Sequence, residues 1–139
     1  MASRSYFLKM VGAADWPLEN RWIDQRIDLL YGVRTPRRPQ AISSGDLLVY
    51  YAAGAQKLFA IARATQDGEN VPMAGDAEEG RWPFRIPVQM YIAIPTLALA
   101  PSWSVLELPS STVQQKSYVQ LNAAQYRAAY DAIVERARP

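Results

Sequence analysis

The sequence predicts an α+β fold, a small β barrel flanked by helices, and three observations carry that expectation. Residues 47–53 and 57–65 are apolar almost without a break, which implies strands buried on both faces, as in a small closed barrel. Helical patterning is confined to a segment near the start and one at the end of the chain. The resulting order of strand, helix, loop, several strands and helix indicates α+β architecture. The chain has 139 residues, half of them hydrophobic, which suits one domain spanning 1–139 with no internal repeat.

Residues 5–10 (Ser-Tyr-Phe-Leu-Lys-Met) are short, aromatic and apolar, and read as a strand. A helix is expected from Trp16: Pro17 fits a first-turn position, Glu19 suits the positive end of the helix dipole, Ile23, Ile27 and Leu30 share a face, and Gly32 terminates it. Residues 35–44, with Pro36 and Pro39, form an arginine-rich loop. Gly45-Asp46 marks a turn, after which the two apolar strands follow, joined through Gly54. Residues 66–80 are polar and glycine-containing, an exposed loop. Residues 84–94 alternate imperfectly around Pro87 and read as an edge or bulged strand. Residues 116–121 form one more strand. Asn122 then caps the final helix, with Gln125 completing a capping box and Tyr126, Tyr130, Ile133 and Ala137 on its buried face.

The chain contains no histidine and no cysteine. That excludes a Ser-His-Asp triad, a thiol nucleophile, disulfides, zinc fingers, iron–sulfur clusters and ordinary zinc, copper or non-haem iron cages. Neither GxGxxG nor GxxxxGK[ST] is present, which removes the two commonest phosphate-loop signatures. A two-carboxylate hydrolase has thirteen acids to draw on, but most fall in the loop before Trp82 or on helix surfaces such as Asp24 and Asp28, where solvation explains them. The expectation is a protein that is not an enzyme and needs neither metal nor cofactor. No segment approaches the roughly 20 apolar residues of a membrane span, and the N-terminal apolar run is broken at Lys9, so a cytoplasmic location is expected.

Binding has better material. Net charge is only +2, yet twelve of the fifteen basic residues are arginine, with Arg34, Arg37, Arg38, Lys57 and Arg63 in a stretch whose one acid is Asp46. Arginine suits bidentate phosphate contacts and stacking on flat rings. Four Trp, eight Tyr and three Phe are available, with Trp16, Tyr50-Tyr51 and Trp82 outside clean core positions. Adjacent tyrosines on a strand point to opposite faces, so one enters the core while the other faces a pocket or solvent.

Several elements in order are similar to the EVE domain family of the PUA-like superfamily, whose relatives include the YTH and ASCH domains. They are Tyr6-Phe7-Leu8-Lys9, Gly32-Val33-Arg34, Gly45-Asp46-Leu47-Leu48-Val49-Tyr50-Tyr51, Phe59-Ala60-Ile61-Ala62-Arg63-Ala64, Trp82-Pro83-Phe84-Arg85-Ile86-Pro87-Val88 and Lys116-Ser117-Tyr118. The resemblance implies a PUA-like small β pseudo-barrel flanked by helices, with a pocket that accepts a nucleobase, often a modified one. Tyr51 and the two residues after it match the pocket-side end of the family's Gly-Asp strand, Arg34 matches its Val-Arg element, and Trp82 with Arg85 matches its aromatic-Pro-aromatic-Arg segment. The chain departs from the family at Ala52-Ala53, where relatives carry a polar pair, and at Thr35, where an asparagine is common.

These readings combine into a non-catalytic nucleic-acid-binding module whose partner is RNA or DNA carrying a modified base, and not a membrane. Trp16, Tyr51, Ala53 and Trp82 are expected at the base, and Arg34, Arg37, Arg38, Arg85 and Lys116 at the phosphates. The alternative on the same fold is a protein-interaction or small-ligand module, with the arginines as solvated surface.

Overall fold

The computed structural model describes residues 4–12, 17–73, 82–112 and 117–137. Strands β1 (Tyr6–Val11), β2 (Gly32–Thr35), β3 (Leu47–Ala52), β4 (Lys57–Ala64), β5 (Phe84–Ala93) and β6 (Tyr118–Leu121) form one sheet in the order β2-β5-β4-β3-β1-β6. β1 runs parallel to β3, with Tyr6 opposite Leu47 and Val11 opposite Ala52. All other pairings are antiparallel. The sheet curls into a half-barrel, in keeping with the small β pseudo-barrel expected, and every residue of β3 is buried. That burial on both faces is what the unbroken apolar run encodes.

The helix expected from residue 16 to Gly32 is replaced by one helical turn, α1 (Trp22–Gln25), and a 3₁₀ turn (Ile27–Leu30). Arg26 leaves the helical region, with φ −125° and ψ 48°. Its neighbour Ile27, placed on the buried face by periodicity, is 58% exposed. Two tertiary anchors override helical propensity here. The Trp22 indole N–H donates to the Ile94 carbonyl at 2.7 Å, and the Tyr50 hydroxyl donates to the Leu29 carbonyl at 3.1 Å. Gly32 opens β2 instead of closing a helix, and a Cβ at this position would collide with the Arg85 side chain.

Residues 84–94 do form a bulged strand, with a register shift opposite Ile61/Ala62, but β5 lies between β2 and β4 and is not an edge. Pro87 has no N–H to donate, and its carbonyl accepts from both the Thr65 N–H (3.0 Å) and the Thr65 hydroxyl (3.2 Å). The loop after β4, expected to be exposed, docks through buried Gly68 and Val71. The Gly68 N–H donates to the Ile42 carbonyl at 2.7 Å, and a Cβ there would overlap the Pro39 carbonyl. Residues 74–80 of that loop lie outside the described residues.

The capping box at the last helix, α2 (Ala123–Ala137), is complete: the Gln125 N–H donates to Asn122 Oδ1 at 2.7 Å, and the Asn122 N–H to Gln125 Oε1 at 2.9 Å. Its buried face differs from the expected one. Ala129 and Ile133 are buried, Tyr126 stacks on Tyr6 of β1 at 4.6 Å, whereas Tyr130 is 40% exposed and Ala137 faces solvent. The stripe follows the spacing i, i+3, i+7 from Tyr126, and the displaced Tyr130 lies beneath the Arg127 guanidinium instead. Among the described residues no helix is long and apolar enough to cross a membrane.

Lys9 is the unexpected feature of the interior. It sits in β1 opposite Tyr50 and Tyr118, fully buried, with Nζ donating to the Met10 carbonyl at 2.7 Å. Burial pushes its ammonium down from 10.5 to about 7. The unfolded chain therefore binds a proton at Lys9 that the folded chain has released between about pH 7 and 10.5, so stability rises with pH across that window. Urea unfolding at pH 6 and pH 9 is expected to show a gain on the order of 2–3 kcal/mol in the parent chain that Lys9→Met lacks. An equal slope in both proteins would remove Lys9 as its source. Tyr50→Phe leaves the Leu29 carbonyl without its donor, and its urea midpoint should fall by an amount equivalent to about 1–2 kcal/mol with an unchanged slope against denaturant.

Candidate functional site

The two ends of the sheet, β2 and β6, meet without strand pairing. Their link is a hydroxyl–hydroxyl hydrogen bond of 2.6 Å between buried Thr35, at the end of β2, and Ser117, just before β6. Beside this seam lies a cavity of about 450 Å³, within the range of small-molecule and cofactor sites. Met10, Val11 and Gly12 form one wall where β1 ends; Val33 and Arg34 of β2 form another. Pro17, Leu18, Glu19, Gln25, Arg26 and Leu29 close it from the crossover segment, and Trp82 completes the lining just ahead of β5.

Backbone hydrogen bonds hold these walls. The Ala53 N–H donates to the Val11 carbonyl and the Met10 N–H to the Ser117 carbonyl, both at 2.9 Å. The buried Tyr50 hydroxyl fixes Leu29, and burial pushes the Tyr50 phenol well above its ordinary value, so it remains a donor. The side chains supply a mixed chemistry. Met10, Val11, Leu18, Leu29 and Val33 are buried apolar surface. Gln25 Nε2 donates to Glu19 Oε2 at 2.9 Å. Arg26 is held bidentately by Asp28, with Nε and Nη2 each 3.1 Å from a carboxylate oxygen.

Of the residues singled out by sequence, Trp82 and Arg34 line the cavity. Arg85 stands directly opposite Arg34 in the β2–β5 register and is exposed. Arg37 and Arg38 follow β2 on an exposed segment, where the Arg38 guanidinium lies 5.1 Å from the Phe84 ring centre and Nη1 reaches the Glu69 carbonyl at 3.4 Å. Tyr51, expected at the base, is 5% exposed, packs edge-on to Trp103 at 5.7 Å and is not part of this cavity's lining. The register shift at Tyr50/Tyr51 and the Trp103 turn give this ring an interior environment, so both tyrosines of the pair are buried. Ala53 is likewise absent from the lining and acts through its backbone N–H. Trp16 and Lys116 lie outside the described residues.

Sequence reasoning missed Met10, Val11, Leu18, Gln25, Arg26, Leu29 and Val33, and read Glu19 as a helix-dipole residue. The sequence carries no signal for them: Ile23, Ile27 and Leu30 are spaced as on a helix, and a crossover that is not a regular helix places side chains where periodicity does not.

No family model and no curated protein matches the chain. Solved structures do match. A hypothetical protein from Leishmania major is 13% identical, with a TM-score of 0.59 over 98% of each chain. Rpa0253 from Rhodopseudomonas palustris is 17% identical, with a TM-score of 0.55 over 94% of each chain. The Pho92 YTH domain, solved in complex with m6A, is 11% identical, with a TM-score of 0.57 over 98% of this chain and 87% of that one. At such identities the likeness is one of fold. The curled six-stranded sheet and its helices form an α+β fold shared with these solved structures.

Proposed function

We propose that this chain is a non-catalytic nucleic-acid-binding module of the EVE type, which takes a base, a modified one in particular, into the cavity beside β1 and β2. The observation that carries this reading is the presence of Trp82 and Arg34 in the lining of one cavity, with Arg85 opposite Arg34 and Arg37 and Arg38 continuing from β2. Extruding a base costs a few kcal/mol, and stacking on an aromatic face offsets about 1–3 kcal/mol of it. The apolar surface of Met10, Leu29 and Val33 keeps water from the buried ring, and arginine holds the adjoining phosphates. The m6A-bound YTH domain supports the reading by showing that a chain of this fold takes up such a ligand. The absence of histidine and cysteine supports binding without catalysis, as do Asp24 and Asp28, both committed to ion pairs with Arg21 and Arg26.

Titration of single-stranded RNA and DNA oligonucleotides, with and without N6-methyladenine, tests it through tryptophan fluorescence and polarisation. Trp82→Ala should weaken binding by roughly tenfold to a hundredfold. Quenching by unrelated small molecules but not by nucleosides or oligonucleotides would favour a small-ligand module instead. Arg37→Ala and Arg38→Ala should weaken binding to all sequences alike, each lowering the slope of log affinity against log salt by about 0.7. Salt-insensitive binding would remove phosphate contacts from the account.

A further inference from the structure

The cavity carries a polar pair that the stacking and phosphate roles leave unused. Gln25 Nε2 gives one of its two N–H groups to Glu19 Oε2 at 2.9 Å, which orients the carboxylate and places an amide N–H next to it. A carboxylate offers about four lone-pair sites and the glutamine uses one of them. The wall therefore presents acceptor, acceptor and donor side by side. Arg26, the cation nearest in sequence to Gln25 on this wall, is held bidentately by Asp28 and so does not claim the Glu19 carboxylate.

The nucleobase edge complementary to that array carries donor, donor and acceptor. Guanine has it in N1–H, the 2-amino group and O6. Adenine presents one amino donor beside a ring acceptor, and uracil a single N–H between two carbonyl oxygens that a carboxylate repels. We infer that the Glu19–Gln25 pair makes the cavity selective for a guanine-type edge, Glu19 accepting from N1–H and the 2-amino group and Gln25 donating to O6. The inference rests on the nucleic-acid reading above and names the base class for the same cavity. A site built to bond a substrate N–H discriminates strongly against an analogue lacking it, because its own polar groups are left unpaired.

Hypoxanthine, which lacks only the 2-amino group, isolates the contact. Short single-stranded oligonucleotides identical except for one central guanine, hypoxanthine, adenine or uracil are titrated into the full chain, into Trp82→Ala and into Glu19→Gln. The expected result is guanine binding on the order of tenfold tighter than hypoxanthine. Glu19→Gln should weaken guanine binding and lose that preference, since an amide presents one acceptor where the carboxylate presents two and sets an N–H against a guanine donor; Glu19 is exposed, so the variant keeps its fold. Binding that Trp82→Ala weakens, but with equal affinity for guanine and hypoxanthine, overturns the inference and leaves base binding standing. So does a guanine preference that survives in Glu19→Gln. Failure of every oligonucleotide to bind overturns the nucleic-acid reading, and this inference with it.

Discussion

A curled sheet must either zip its two edges together or leave a gap, and this sheet leaves one. β2 and β6, four residues each, stand at opposite ends of the strand order and share no ladder. The Thr35–Ser117 hydroxyl pair ties them at one point, and the rest of the rim between β1 and β2 is left to be filled by the crossover and by Trp82. The crossover is long because β1 and β3 are parallel neighbours, a pairing that no tight turn can connect. Parallel pairing thus supplies both the seam and the segment that roofs it.

The roof and the β1 wall beside it are held by hydrogen bonds with the barrel interior rather than by helical regularity. The Tyr50 hydroxyl holds Leu29, the Trp22 indole holds Ile94, and the Lys9 amine holds Met10, each by donating to a backbone carbonyl. Buried donors of this kind are stabilising only while their partners stay in place, since an unpaired buried group costs about 1–3 kcal/mol. Two of the three carbonyls, those of Leu29 and Met10, belong to residues that line the cavity. The shape of the cavity is therefore coupled to core groups that lie outside its lining. Lys9 adds a constraint of its own: in a chain without histidine, it is a side chain brought to titrate near neutrality by burial alone.

Much of this was legible in the sequence wherever local chemistry determines the outcome. The apolar runs of β3 and β4, the bulged character of β5 and the Asn122–Gln125 cap needed no tertiary information. Legibility failed where a distant group decides. Nothing between Trp22 and Leu30 announces that Ile94 and Tyr50 will claim this segment's anchors, and β2 is strand only because β5 lies beside it. At the site, Trp82 and Arg34 were visible as residue types in a suggestive order, whereas the burial of both Tyr50 and Tyr51 accompanies a register shift that alternation cannot reveal.

The same limit explains why the sequence underestimates the polarity of the cavity. Ala52 and Ala53 stand where relatives of the family it resembles carry polar side chains, which suggests a pocket poor in hydrogen-bonding groups. Yet Ala52 is fully buried, and neither alanine lines the cavity. Ala53 contributes a backbone N–H that positions Val11, and a backbone donor is indifferent to the loss of a side chain. The polar lining comes instead from Glu19, Gln25 and Arg26 of the crossover and from Arg34 of β2. Substitution on the strand therefore removes little polarity from the cavity, because the segment that departs from helical order carries most of its polar side chains.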